Sequence, residues 1–271
     1  MRILITNDDG VDAPGIEVMR AIAAELSDDV WVVAPDGNQS GAAHRFTFGR
    51  ELGLDQRSER VFSVIGGSPA DCVVAGMTHV CKDIKPDLVL SGVNNGQNLG
   101  DILNCSGTVA GAREGALHGA LGIGISQGVD YERTHEVNWT NAATYSARVV
   151  RQLLAQVRSR GDAYFNVNLP FCAPEDVSGI RVVPFQRFSR SPMAYYPSDN
   201  AGKFFIAIPE TPTPLDPEND FGLLMHENAI TVTPLMLQHT HHELAGRLDG
   251  ALELSPEKPN SPDDAGDSLR S

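Results

Sequence analysis

Two carboxylates stand side by side at Asp8 and Asp9 in the stretch MRILITNDDGVDAPG, where a short apolar run stops. Asp and Gly favour turns, and Asp also suits the cap of a following helix, so NDDG alone reads as punctuation. Adjacent carboxylates, however, repel each other unless a cation neutralises them. Consecutive side chains on a regular strand point to opposite faces, so both reach one ion only if the chain bends, and Gly10 permits the bend. A hard divalent ion taking oxygen ligands, magnesium or manganese, suits such a pair. Softer ligands are not grouped: Cys72, Cys81, Cys105 and Cys172 form no CxxC pair and fit reduced thiols in a cytoplasm. His239, His241 and His242 in HTHHE are read as an exposed polar tract rather than a metal site.

The elements that must carry this chemistry follow from periodicity. Arg2 to Thr6 is a near-continuous apolar run, as in a strand buried on both faces of a parallel sheet. After Pro14 and Gly15, the residues Ile16, Met19, Ile22, Ala23 and Leu26 recur at helical spacing. VWVVAP reads as a second strand, DLVLSGVN as a third, TVAGAREGALHGA as a small-residue helix and GIGIS as another strand. A long helix follows, with Ala142, Val149, Val150, Leu153, Leu154 and Val157 on one face. Strand and helix in alternation predict an α/β fold with a doubly wound, mainly parallel sheet over about residues 1–170. From Gly179 onward IRVVPF, KFFIAI and NAITVTPL, separated by PETPTPLDPEND, predict a β-rich extension of the same domain to about residue 254, with hairpins that reach a partner subunit. Residues 255–271, rich in Pro, Ser and acids, read as a disordered tail.

In such a sheet ligands bind beyond the carboxyl ends of the strands. The loop after the second strand offers Ser40, Gly41 and His44, and the loop after DLVLSGVN offers Asn94, Asn95 and Asn98. Ser106, Gly107 and Thr108 then enter a helix, whose N-terminal N–H groups favour an anion. His44 suits a structural or substrate-contact role as well as catalysis. Of 271 residues, 41% are hydrophobic and 6% aromatic, which suffices for a packed core. A formal charge of −14 repels a nucleic-acid backbone at long range, so a polymer partner is not expected. A small anion would need a metal ion or converging N–H groups to bind. No run approaches the ~18 apolar residues of a spanning helix and no leader-like stretch is visible, so the reading is a soluble cytoplasmic protein without a membrane partner.

Other acidic-pair folds fit less well. A receiver-type signalling domain needs an accepting Asp at the end of a central strand, where LVLSGVN offers Ser and Asn. A hydrolase of the halo-acid type wants two Asp separated by one residue. The first strand is not followed by GxGxxG, so the dinucleotide fingerprint is absent. A non-catalytic nucleotide- or phosphate-binding module stays open.

ILITNDDGVDAPGI, VVAPDGNQSG, GSPADCV, PDLVLSGVNNGQNLGD and SGTVAGAREG resemble, in order and spacing, the signature blocks of the stationary-phase survival protein SurE family, metal-dependent nucleoside monophosphate phosphatases. The blocks span about residues 1–120. The resemblance implies a Rossmann-like three-layer fold, dimers or tetramers assembled through the C-terminal segments, and hydrolysis of nucleoside 5′- and 3′-monophosphates, with polyphosphate as an alternative substrate. It also implies one divalent cation per subunit, Mg2+ or Mn2+, on Asp8, Asp9, Ser40 and Asn94, with Asp8 and Asp9 catalytic. Ser106, Gly107 and Thr108 correspond to the family's phosphate-binding loop, Asn98 to the second Asn of its NxGxN pattern, and Gly41 and His44 complete the expected substrate contacts. The chain departs from the pattern at Cys105, where Tyr is usual, at Gln39, where Arg is usual, and at Arg45, where Ser is common. Arg45 is expected to restore near the substrate phosphate the charge lost at Gln39.

Overall fold

A computed structural model describes residues 1–131, 134, 136–157, 163–208 and 214–249. The chain divides into two units, residues 1–237 and 238–271. In the first, nine strands form one sheet in the order β3-β4-β2-β1-β5-β6-β7-β11-β8. These strands are β1 (Arg2–Thr6), β2 (Asp29–Pro35), β3 (Gly53–Ser58), β4 (Val61–Ile65), β5 (Leu88–Asn95), β6 (Leu121–Gln127), β7 (Ala163–Leu169), β8 (Gly179–Val182) and β11 (Ala229–Met236). The six central strands from β4 to β7 run parallel, while β3 and β11 pair antiparallel with β4 and β7. The fold is thus the mainly parallel α/β sheet that the strand and helix alternation predicts. Strands β9 (Ala194–Pro197) and β10 (Phe204–Ala207) form a separate antiparallel hairpin. In the second unit, α6 (His242–Leu248) is a short exposed helix capped by the His241 ring, and His239, His241 and His242 are exposed, as read from the sequence. The tail expected over residues 255–271 lies outside the described residues.

Alternation along the buried strands supplies two cores. Ile3, Ile5, Leu88, Leu90, Ile123 and Ile125 pack beneath α1 (Pro14–Ala24) and α4 (Thr140–Gln156). Leu4, Val33 and Val89 face the other way, onto the side of α2 (Pro69–Ala75) and α3 (Gly107–Leu117). The helix α3 owes its position to Gly107, Gly111 and Gly115, spaced one turn apart. A Cβ at Gly111 would lie 2.6 Å from Ser91 Oγ, and one at Gly115 would lie 2.5 Å from Val89 Cβ. Helix backbone therefore rests directly on β1 and β5, closer than any side chain would allow.

The extension contributes more than hairpins. β11 and β8 complete the main sheet, and α5 (Asp220–Glu227) packs beside β11. Buried Asp220 accepts from the N–H groups of Gly100 at 2.9 Å and Gln186 at 2.8 Å, tying the extension to the loop after β5. Among the described residues no helix is long and apolar enough to cross a membrane.

Candidate active site

β1 lies between β2 and β5, and the chain leaves it toward opposite edges of the sheet, so a crevice opens at the carboxyl ends of these three strands. Asp8 and Asp9 sit at its floor. The Asn7 side chain shapes the bend, donating to Gly10 O at 2.9 Å and accepting from Gly10 N at 3.1 Å. Gly10 has φ +112°, and a Cβ there would lie 3.2 Å from the Gly37 backbone, so the turn needs glycine on both counts.

Asp8 is 4% exposed and is held by the N-terminus of α3. Thr108 Oγ1 donates to Asp8 Oδ1 at 2.6 Å. Gly107 makes this approach possible, since a Cβ there would lie 2.7 Å from Asp8 Cβ. Asp9 is half-buried, and its Oδ2 accepts from Asn95 N at 3.3 Å. Burial raises the Asp8 pKa against the hydrogen bonds from Thr108 and Gly107. Burial and then the Asp8 charge push Asp9 up to about 6, opposed by the Asn95 N–H.

The neutral oxygens come from the neighbouring loops. Asn94 Nδ2 donates to Gly96 O at 2.7 Å, which orients the amide and leaves Oδ1 as its acceptor end. Ser40 is exposed on the loop after β2, its N–H bonded to Asn38 Oδ1 at 2.8 Å, and Gly41 follows with φ +75°. Gln39 N donates to Asp8 O at 2.6 Å, so this loop is stitched to the acidic turn. Two carboxylates with Ser and Asn oxygens suit a hard cation. Among the described residues no group of three or more His, Cys, Asp or Glu is arranged to hold a metal, so any cation here must take such neutral oxygens.

The other expected contacts are engaged within the protein. Ser106 Oγ accepts from Val109 N at 3.1 Å as the N-cap of α3, and the Gly107 and Thr108 N–H groups point toward Asp8. Asn98 Nδ2 donates to Ser126 Oγ at 2.9 Å, while its backbone bonds to Asn166 and Asn168. His44 Nε2 lies 2.8 Å from Glu114 Oε2, and Arg113 meets its Nδ1. Arg45 Nη2 donates to Gln39 Oε1 at 2.7 Å, joining the two departures in one contact.

Several contacts escaped sequence reasoning. The sequence points to Asn95 with the loop after DLVLSGVN, but its contact to Asp9 through the backbone N–H is one that residue type does not disclose. Glu114 lay inside a quoted block, where an acid among small helix residues was the available signal. Tyr131 is half exposed, and a Cβ at Gly96 would lie 2.3 Å from its hydroxyl oxygen. Burial and then the charge of Asp9 raise the Tyr131 pKa.

The family model of survival protein SurE matches residues 3–191. The chain belongs to the SurE family. Among SurE relatives, a 5′-nucleotidase SurE of Methylorubrum populi is 43% identical over 242 residues, covering 89% of this chain and 94% of its own length. The 5′-nucleotidase SurE of Brucella canis is 40% identical over 255 residues, covering 93% and 98%. A crystal structure of the SurE protein from Aquifex aeolicus superposes with a TM-score of 0.76 at 30% identity, covering 93% of this chain and 99% of that one. The SurE match thus takes in the acidic turn, both ligand loops and the start of α3.

Proposed function

We propose that the protein is a phosphomonoesterase that hydrolyses nucleoside 5′-monophosphates to nucleoside and phosphate, with a divalent cation held by Asp8, Asp9, Ser40 and Asn94. The observation that carries this is the adjacent pair Asp8 and Asp9 at the switch point of the sheet, with the Ser40 loop bonded to Asp8 O and the Asn94–Asn95 end of β5 bonded to Asp9, in a chain whose relatives are named 5′-nucleotidases. A bound Mg2+ or Mn2+ would polarise a phosphoryl oxygen and make a nearby water more acidic.

The chain's own residues do the rest. Thr108 holds Asp8 in place and favours its charged form against burial, and the Asn95 N–H acts in the same sense on Asp9. N–H groups around Gly41 offset charge on the equatorial phosphoryl oxygens, while those of Gly107 and Thr108 serve Asp8. Asn98 and His44 hold the loops that bear these groups. The ring of Tyr131 offers the nucleoside a flat face beside the reacting phosphate.

We further propose that the protein works in the cytoplasm as a homodimer or homotetramer, joined through the β9–β10 hairpin. The hairpin exposes Tyr195, Phe204, Phe205 and Ile206, an apolar surface unusual for a free monomer. Phosphate release from nucleoside 5′- and 3′-monophosphates, an aryl phosphate and polyphosphate, with Mg2+, with Mn2+ and with chelator, tests the reaction. Release from 5′-monophosphates that chelator abolishes supports it. No cation-dependent release from any substrate makes the chain a binding module, and preference for polyphosphate reassigns the substrate.

A further inference from the structure

Ser40 occupies the least supported position of the proposed cation site. It is exposed, on a loop of residues 36–49 without regular secondary structure. Mg2+ and Mn2+ tolerate little error in ligand placement, so something must hold this loop. Its anchors lie on the acidic turn, where Gln39 N donates to Asp8 O at 2.6 Å, on the start of α2, where Ser68 Oγ donates to Arg45 O and Thr47 N donates to Asp71 Oδ1 at 3.0 Å, and on α3 with Cys105 two residues before it. Ala43 N donates to Cys105 O at 3.1 Å, and His44 reaches Glu114. Glu114 is 5% exposed, its Oε2 lies 2.8 Å from His44 Nε2, and His118 Nε2 stands 3.0 Å from its other oxygen. Arg113 has donors only, so its contact makes His44 Nδ1 the acceptor and leaves the Nε2 proton for Glu114. Both ring nitrogens are thus committed, which fixes the imidazole in one orientation. The same helix, at its first turn, clamps Asp8 through Thr108. One rigid body therefore holds a carboxylate ligand at one end and, two turns later, the loop that presents the hydroxyl ligand.

We propose that Glu114 and His44 are positioning residues that set the Ser40 end of the cation site, and with it the preference for a small divalent cation over calcium. The inference rests on the cation site proposed above. Calcium accepts more ligands in a looser shell, so slackening the loop should weaken Mn2+ binding more than Ca2+ binding. That difference separates positioning from general loss of stability, which would weaken both ions alike.

The test is Mn2+ binding by the resonance of free Mn2+, with Ca2+ by competition, on the full chain and on His44→Ala, Glu114→Ala, Glu114→Gln and the double alanine variant. The His44 side chain is 20% exposed, so its truncation leaves the core intact. His44→Ala is expected to weaken Mn2+ about tenfold, in the range found for residues that orient metal ligands. Its Ca2+ affinity should change less than about threefold. Glu114→Gln, which keeps an acceptor for Nε2, should stay within about threefold of the parent, and the double variant should bind no worse than the weaker single. Unchanged Mn2+ affinity in His44→Ala, equal losses for the two ions, or additive losses overturn the proposal. A parent chain that binds neither ion overturns it together with the cation site. Since binding is the readout, a chain that binds Mn2+ but releases no phosphate is judged by the same criteria.

Discussion

Replacing Asp9 by Asn should remove cation-dependent phosphate release, by at least about a hundredfold in kcat/KM, since the cation loses one of its two charged ligands. Near-normal turnover in that variant refutes the assignment of the acidic pair. The raised pKa of Asp9 has a second consequence. An ordinary carboxyl of 3.8 becomes about 6 in the folded chain, so the folded state holds this proton more tightly than the unfolded one. In the cation-free chain Asp9 therefore costs no stability below 3.8, opposes folding increasingly up to about 6, and exerts its full penalty above that. A cation needs the deprotonated form, so Mn2+ affinity should climb through the same interval and level off above it. Titrations of Mn2+ binding against pH check this, and a flat profile contradicts it. Tyr131→Ala should raise KM for nucleoside monophosphates but not for a small aryl phosphate, and equal effects on both sink the proposed base contact. Arg45→Ala should raise KM as well if its guanidinium supplements the site, and an unchanged KM leaves it only the contact with Gln39.

Among the elements, α3 has the most to lose from a single methyl group. Gly115→Ala puts a Cβ 2.5 Å from the branched Val89 Cβ, so the helix must lift or the strand must shift. A destabilisation of about 1–3 kcal/mol is expected in denaturant unfolding. If the helix lifts, Thr108 moves away from Asp8 and Mn2+ affinity falls too. A variant that is destabilised but binds Mn2+ normally argues that the strand, not the helix, yields. Periodicity revealed β1, α1, β2, β5, α3, β6 and α4 because each pairs a buried face with a 3.6-residue or strand-like pattern. It missed β3, whose six residues GLDQRS are all exposed and carry no apolar signal. It missed α2 and α5 because seven or eight residues hold barely two turns. IRVVPF becomes a strand only to Val182, since Pro184 has no N–H for a ladder. The pattern located the strand ends at which Asp8, Asp9, Ser40 and Asn94 stand, while the choice of Ser40 and Asn94 as cation ligands over Gly41, His44, Asn95 and Asn98 came from the resemblance to the SurE family.

Across the whole molecule, the charge of −14 opposes the approach of an anionic substrate. Screening that field should raise kcat/KM for a nucleoside monophosphate as ionic strength increases toward physiological values, and a flat or falling dependence shows that local positive charge dominates at the crevice. The exposed hairpin gives a second measurement. Phe205→Asp, at a site 60% exposed in the single chain, should shift the sedimentation of the assembly toward monomer with little loss of subunit stability. Unchanged sedimentation locates the interface elsewhere. The sequence by itself determined the α/β class, the strands β1, β2, β5 and β6 and the acidic pair, because hydrophobic period and residue type are local properties. Only the tertiary structure decided that β8 and β11 complete the main sheet and that a glycine-lined helix lies on β1 and β5. Only it made Thr108 the partner of Asp8, a hundred residues away, and Glu114 the anchor of the Ser40 loop. Those outcomes depend on how closely two backbones pack and on which buried donors are left for each carboxylate. Neither quantity exists until distant segments share a surface.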